Sequence, residues 1–321
     1  MGELALMRHR HRRQPDLPSF RADWPTVSIV ILVYKTDRFI GACLDSLRAL
    51  DYPGSCEVIV VDNDEERFPS REALEGQLSG ETLVVNEKNR GFVGGCNDGI
   101  APSSGEVVVL LNDDTTVRSD WLTEIVRPMR GDPRVAIVGC KMYFPGTRVL
   151  QHAGGILHAN GMTQHIGYEE EDNGQYDEER DMPFLTGAGL AVRRAFLDRC
   201  GGGLDEDYYP AYCEELDLCF RARRMGYRVV YAPRAAMEHY ESPGLENQSP
   251  IFQRLVNRGR ILFCLKNYGL RDWLGFARYE WHWLRAPWSK GRRKKQVRAY
   301  LDGLLFLLGR RYSAEKPFPG V

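Results

Sequence analysis

One rhythm constrains this chain more than any other feature. An apolar run without polar alternation is followed by a helical pattern, four times over. Ser28–Tyr34 reads as a strand. Ile40, Leu44, Leu47 and Leu50 then recur at helical spacing, with Thr36 or Asp37 able to cap the helix. Glu57–Val61 is the second strand, and a helix is expected over 70–79. Leu83–Val85 is a short third strand. The glycine-rich stretch 91–101 opens a helix pressed closely on the sheet. Val107–Leu111 is the fourth strand, with a helix starting at Ser119 or Asp120. Such runs suit strands covered on both faces. The alternation implies a mostly parallel sheet flanked by helices.

Polar residues collect after each strand: Lys35-Thr36-Asp37, Asp62-Asn63-Asp64, Asn86–Asn89 and Asn112–Asp114. In a parallel sheet these fall along one edge, where open α/β sheets bind ligands. Asp113 and Asp114 repel each other unless they are solvated or bridged by a cation. Their hard oxygens suit Mg²⁺ or Mn²⁺. An acidic turn that caps the next helix is the alternative reading.

The pattern changes after Val135–Val138. Residues 147–168 read as short strands, and 169–182 as an acidic loop. That loop is expected to be a solvated connection, with a lid as the alternative. Phe184–Val192 is strand-like and Glu214–Met225 helical. Arg228–Tyr231 is a strand broken at Pro233, and helices follow from Pro250. Residues 290–298 hold six Lys or Arg ahead of Leu301, Leu304, Leu305, Leu307 and Leu308. This is either a docked helix or a basic amphipathic tail over 290–311. The coincidence of basic flank and apolar patch favours peripheral contact with an anionic membrane.

A net charge of −1 over 321 residues gives no global basis for binding nucleic acid. Eight scattered cysteines with no CxxC pair read as reduced thiols. No apolar stretch reads as a signal peptide or a membrane span. The expected location is therefore cytoplasmic, with a peripheral position on the membrane face.

Seven short motifs follow one another: Val27–Tyr34, Val60–Asn63, Asn89–Ile100, Leu110–Thr115, Leu185–Arg193, Glu214–Gly226 and Val230–His239. With them the chain resembles family 2 glycosyltransferases, and most a rhamnosyltransferase-like bacterial branch. The motifs follow the family's order and span about residues 27–267. The resemblance implies an α/β chain of GT-A (Rossmann-like) fold with a C-terminal helical extension. Residues 1–25, basic and without periodicity, read as a flexible leader, and the resemblance implies a catalytic domain over 26–245. That domain divides into a nucleotide-binding half (26–118) and an acceptor-binding half (119–245), with the extension over 246–321. It also implies an inverting enzyme that moves a sugar from a UDP- or dTDP-sugar to a hydroxyl of a glycan or glycolipid acceptor.

The resemblance assigns roles as well. Asp62 matches the acid that accepts a pyrimidine N–H, and Val33 and Tyr34 line the base pocket. Asn89 and Asn97 match positions beside the nucleotide. Asn112, Asp113 and Asp114 match the DxD-type motif, with the metal on Asp114 and support from Asp113. His239 matches a late His at the metal or diphosphate. Gly187 and Ala188 lie in a small-residue turn near the donor sugar. Glu215 stands where the family carries its catalytic Asp, with Glu214 and Asp217 as substitutes. The segment Asp64-Glu65-Glu66-Arg67 departs from the family pattern. A non-catalytic sugar-nucleotide-binding protein is the alternative. A nucleotidyltransferase ranks lower, because Val33–Asp37 lacks a Gly-rich phosphate loop.

Overall fold

The computed structural model describes residues 17–35, 37–64, 71–240, 249–285, 293–313 and 315–316. The first half follows the predicted rhythm. It runs β1 (Val27–Val33), α1 (Asp37–Arg48), β2 (Cys56–Asp62), α2 (Arg71–Glu75), β3 (Thr82–Val85), α3 (Gly91–Ile100) and β4 (Val107–Asn112). These strands lie in parallel in the order β3-β2-β1-β4. Val27, Ile29, Ile31 and Val33 of β1 face Leu44 and Trp121 on one side of the sheet. Val30 joins Val93 and Ile100 on the other. Burial on both faces explains why the apolar runs do not alternate. α2 is shorter than the expected 70–79.

The second half continues with β5 (Thr115–Val117), α4 (Trp121–Gly131), β6 (Val135–Tyr143), β7 (Leu150–His152), β8 (Gly155–Leu157), β9 (Thr163–His165), β10 (Arg180–Asp181) and β11 (Gly189–Arg193). Then come α5 (Arg194–Arg199), α6 (Glu214–Arg224), β12 (Arg228–His239), α7 (Pro250–Asn267), α8 (Leu270–Arg285) and α9 (Arg293–Leu307). The main sheet reads β10-β12-β6-β11-β4-β1-β2-β3. β11 is inserted antiparallel between β4 and β6. It begins at Gly189, so Phe184–Ala188 stay irregular and are free to shape a site. Pro233 does not end β12. The strand runs on to His239 across a register shift between Ala232 and Ala236, a bulge that tolerates the missing N–H.

Packing revises two sequence expectations. Residues 17–25 are not a loose leader: Leu17 is buried, Phe20 sits under Arg193 and Trp24 under Arg130. The acidic loop is largely exposed, as expected, but it is anchored at Lys141. Lys141 of β6 is buried and draws Asp172 to 2.9 Å and Asp177 into contact, while Tyr143 also bonds Asp172. A buried ammonium requires such carboxylates. Residues 1–16, Thr36, Glu65–Arg67, Lys290 and Arg292 lie outside the described residues, as do the side chains of residues 293–296.

The last three helices close one side of the molecule. Arg260 of α7 pairs with Glu280 of α8 at 2.9 Å, and Asn160 donates to the same carboxylate at 2.7 Å. Arg254 of α7 pairs with Asp302 of α9 at 3.1 Å. Removing one partner of a buried pair such as Arg260–Glu280 typically costs about 3–5 kcal/mol.

Candidate functional site

The parallel ladder aligns the predicted donor residues. Val33 pairs with Asp62, Asp62 with Val85, and Leu32 with Asn112. The ends of four neighbouring strands thus open on one edge. Asp62 is buried there, and its Oδ1 takes the Asp64 N–H at 3.5 Å. Tyr34, half-exposed, follows β1 on the same edge.

Asn63 holds the floor of this edge. Its Nδ2 donates to Asn89 Oδ1 and to Gly91 O, both at 3.1 Å. Its Oδ1 accepts from Asn86 Nδ2 at 3.0 Å and from the Arg90 N–H at 2.9 Å. Asn89 Oδ1 also accepts the Gly91 N–H at 2.8 Å, which fixes the start of α3. Gly91 has φ +65, and a Cβ there would meet the Pro210 backbone. Only glycine fits that approach without strain. Asn97 grips Leu204 with both ends of its amide, Nδ2 to O at 2.9 Å and Oδ1 to N at 2.8 Å. It ties α3 to the segment before Tyr208 rather than leaving its amide toward the edge.

At the end of β4 a second group converges. Asp113 and Asp114 are buried. His239, brought alongside Thr115 by the β12–β5 pairing, sets Nε2 at 3.2 Å from Asp114 Oδ1 and 3.2 Å from Asn112 Nδ2. Gln151 fixes the ring. Its Nε2 donates to His239 O at 3.2 Å, so its Oε1 faces Nδ1 at 2.6 Å. Nδ1 thus bonds Gln151, and Nε2 is held beside the Asp114 carboxylate and the Asn112 amide. A carboxylate oxygen and an imidazole nitrogen set side by side fit a divalent cation. Among the described residues no three His, Cys, Asp or Glu side chains form a metal cage. Two protein donors suit an ion that completes its shell with phosphate oxygens and water.

The third part is the carboxylate pair. Tyr212 (φ 78) and Cys213 (φ 73) are both left-handed, an uncommon and costly arrangement for non-glycine residues. They deliver Glu214 and Glu215 at the N-terminus of α6. Gly259 of α7 makes room, since a Cβ there would strike Tyr212 O and Cys213. Glu214 Oε2 and Glu215 Oε2 are buried without a hydrogen-bond partner. Burial, and then the neighbouring Glu215 charge, holds Glu214 well above the ordinary carboxylate range. Burial also raises Glu215, opposed by a hydrogen bond from Glu214 and by backbone N–H groups. One proton on Glu214, donated to an ionised Glu215, is the arrangement these causes describe. Asp217 is occupied elsewhere: it accepts from Tyr208 at 3.1 Å, Asn267 at 2.7 Å and Arg221 at 2.7 Å.

Thr186-Gly187-Ala188 joins the two groups. Ala188 O accepts the Asn112 N–H at 3.0 Å. A Cβ on Gly187 would lie 3.5 Å from Phe92 and 3.8 Å from Glu215 Cβ. Sequence reasoning found both groups but missed Gln151 and the hub role of Asn63. Asn63 stood inside a motif already singled out. Gln151 carries no local signal, because its partner lies 88 residues away.

The family model for glycosyltransferase-like family 2 matches residues 25–258. The chain is 32% identical over 269 residues to protein y4gI of Sinorhizobium fredii, covering 79% of this chain and 29% of that one. It is 29% identical over 228 residues to the O-antigen biosynthesis protein RfbC of Myxococcus xanthus, covering 68% and 17%. The solved structure of GalNAc-T7 with UDP, GalNAc and Mn²⁺ superposes with a TM-score of 0.58 at 15% identity, covering 75% of this chain and 48% of that one. The chain thus spans less than half the length of each of these proteins. The helix-flanked, mostly parallel sheet is a GT-A fold, and the chain belongs to glycosyltransferase-like family 2.

Proposed function

We propose that this chain transfers a sugar from a UDP- or dTDP-activated donor to a hydroxyl of a glycan, polysaccharide or glycolipid, with inversion at the anomeric carbon. The observation that carries this reading is the Thr186–Ala188 bridge. It is hydrogen-bonded to Asn112 of the Asp114–His239 corner at one end, and at the other it lies beside Glu215, whose Cβ would stand 3.8 Å from a Cβ added to Gly187. Asp62 accepts the ring N–H of the base, and Val33 and Tyr34 flank it. Asp114 and His239 hold a divalent cation, Mg²⁺ or Mn²⁺, whose chemistry is to neutralise the departing diphosphate. Glu215 takes the proton of the acceptor hydroxyl. The oxygen then forms its bond to the anomeric carbon from the face opposite the diphosphate, which leaves with the bonding pair. Glu214, protonated, orients Glu215. The small side chains at Gly187 and Ala188 leave room for the donor sugar, for which rhamnose is the branch-level candidate.

Binding and hydrolysis of a panel of UDP-, dTDP- and GDP-sugars, with Mn²⁺, with Mg²⁺ and with EDTA, tests this. A pyrimidine donor that is hydrolysed only with metal is the expected result. Failure of every nucleotide sugar to bind, or undiminished turnover without metal, contradicts it.

A further inference from the structure

We propose that the outer faces of α8 and α9 seat the protein on an anionic membrane surface. α9 is apolar on two opposite sides. Ala299 and Phe306 are buried in the core with Ile261 and Leu262 of α7, and Gly303 lies close against Ile261. On the other side Val297, Leu301, Leu304 and Leu307 are exposed by 56, 54, 53 and 62%, and Leu308, in the turn after the helix, by 74%. At about 100° per residue the four helical positions span an arc of roughly 120°. α8 repeats the pattern: Phe276 and Glu280 are buried, while Leu270, Leu274 and Trp281 are exposed by 89, 74 and 56%. Those three span an arc of roughly 40°. A helix that only docks on its own core carries polar residues outside. Contiguous exposed apolar stripes mark an interaction surface.

Charge selects the partner. Arg271, Arg278 and Arg285 are exposed along α8, and Arg298 on α9. In sequence, residues 281–301 hold seven Lys or Arg and no Asp or Glu, against −1 for the whole chain. A second copy meeting this face symmetrically would set like charges against each other. An anionic lipid surface accepts both the leucines and the cations. No helix among the described residues is long and apolar enough to cross a membrane, so the contact is interfacial.

The test is sedimentation of the full chain with phosphatidylcholine vesicles, with and without phosphatidylglycerol, at low and high salt. Binding is expected to be about tenfold stronger or more on anionic vesicles and to fall with salt. A Leu301→Glu/Leu304→Glu variant alters only exposed positions. It should lose about tenfold in vesicle binding while keeping its Tm and donor affinity. Lys294→Glu/Lys295→Glu should lose a similar factor. Equal binding of the leucine variant and wild type overturns the proposal, as does wild-type binding indifferent to lipid charge. So does a wild-type dimer that the leucine variant breaks while neither form binds vesicles.

Discussion

Asp62 and Asn112 reach the cleft on parallel strands that flank β1 on either side. Glu214 and Glu215 reach it from a helix start behind two left-handed residues. On the first side the sheet register does the positioning. Each strand end is fixed by its neighbour, and Asn63 ties the loops beneath through four hydrogen bonds. On the second side nothing repeats. The carboxylates follow the Tyr212–Cys213 turn, which packs tightly on Gly259 of α7, a partner remote in sequence. A donor edge built by register tolerates small local errors. A base held by a strained turn does not.

The largest expected effect tests whether the two sides are one site. Asp114→Asn should reduce metal-dependent turnover by about 100-fold or more, measured as nucleotide release at saturating donor. Near-wild-type turnover would detach Asp114 from the chemistry. Next come two substitutions that separate the sides. Gly259→Ala overpacks the Tyr212–Cys213 turn and should cost about 1–3 kcal/mol of stability. Its turnover should fall more than its donor affinity. Asn63→Ala removes four bonds worth about 0.5–1.5 kcal/mol each and should show the opposite split, with weakened donor binding and a smaller change in turnover. The same kinetic signature in both variants would erase the distinction between the sides.

The smallest effect is a pH dependence. Glu214 is raised by burial and by Glu215, so it stays protonated in the folded chain where the unfolded chain ionises. Folding then takes up a proton, and wild-type stability falls as pH rises from the ordinary carboxylate value toward the raised one. Glu214→Gln has no proton to lose. Its Tm relative to wild type should therefore climb as pH rises above the ordinary carboxylate value of about 4.3. A constant difference would mean that Glu214 is ionised in the native protein.

The same contrast explains what the sequence made legible. The strand ends, the acids at 62 and 112–114 and the glycines of α3 declare themselves locally, because a buried parallel sheet needs uninterrupted apolar runs and ends them at one edge. The role of Gln151 does not, because it exists only once β12 returns His239 beside β5. The anchor of the acidic loop was not legible because buried Lys141, its partner, lies about thirty residues earlier. Of the strand expected over Phe184–Val192 only the part from Gly189 forms as β11, and its antiparallel insertion follows from the whole sheet and from no residue within it.

The most direct test of the central claim pairs two readings on Glu215→Gln: affinity for a nucleotide sugar with Mn²⁺ present, and nucleotide diphosphate released on transfer to acceptor. Affinity within about threefold of wild type, with turnover lower by about 100-fold or more, is the predicted outcome. Wild-type turnover in Glu215→Gln would contradict the account.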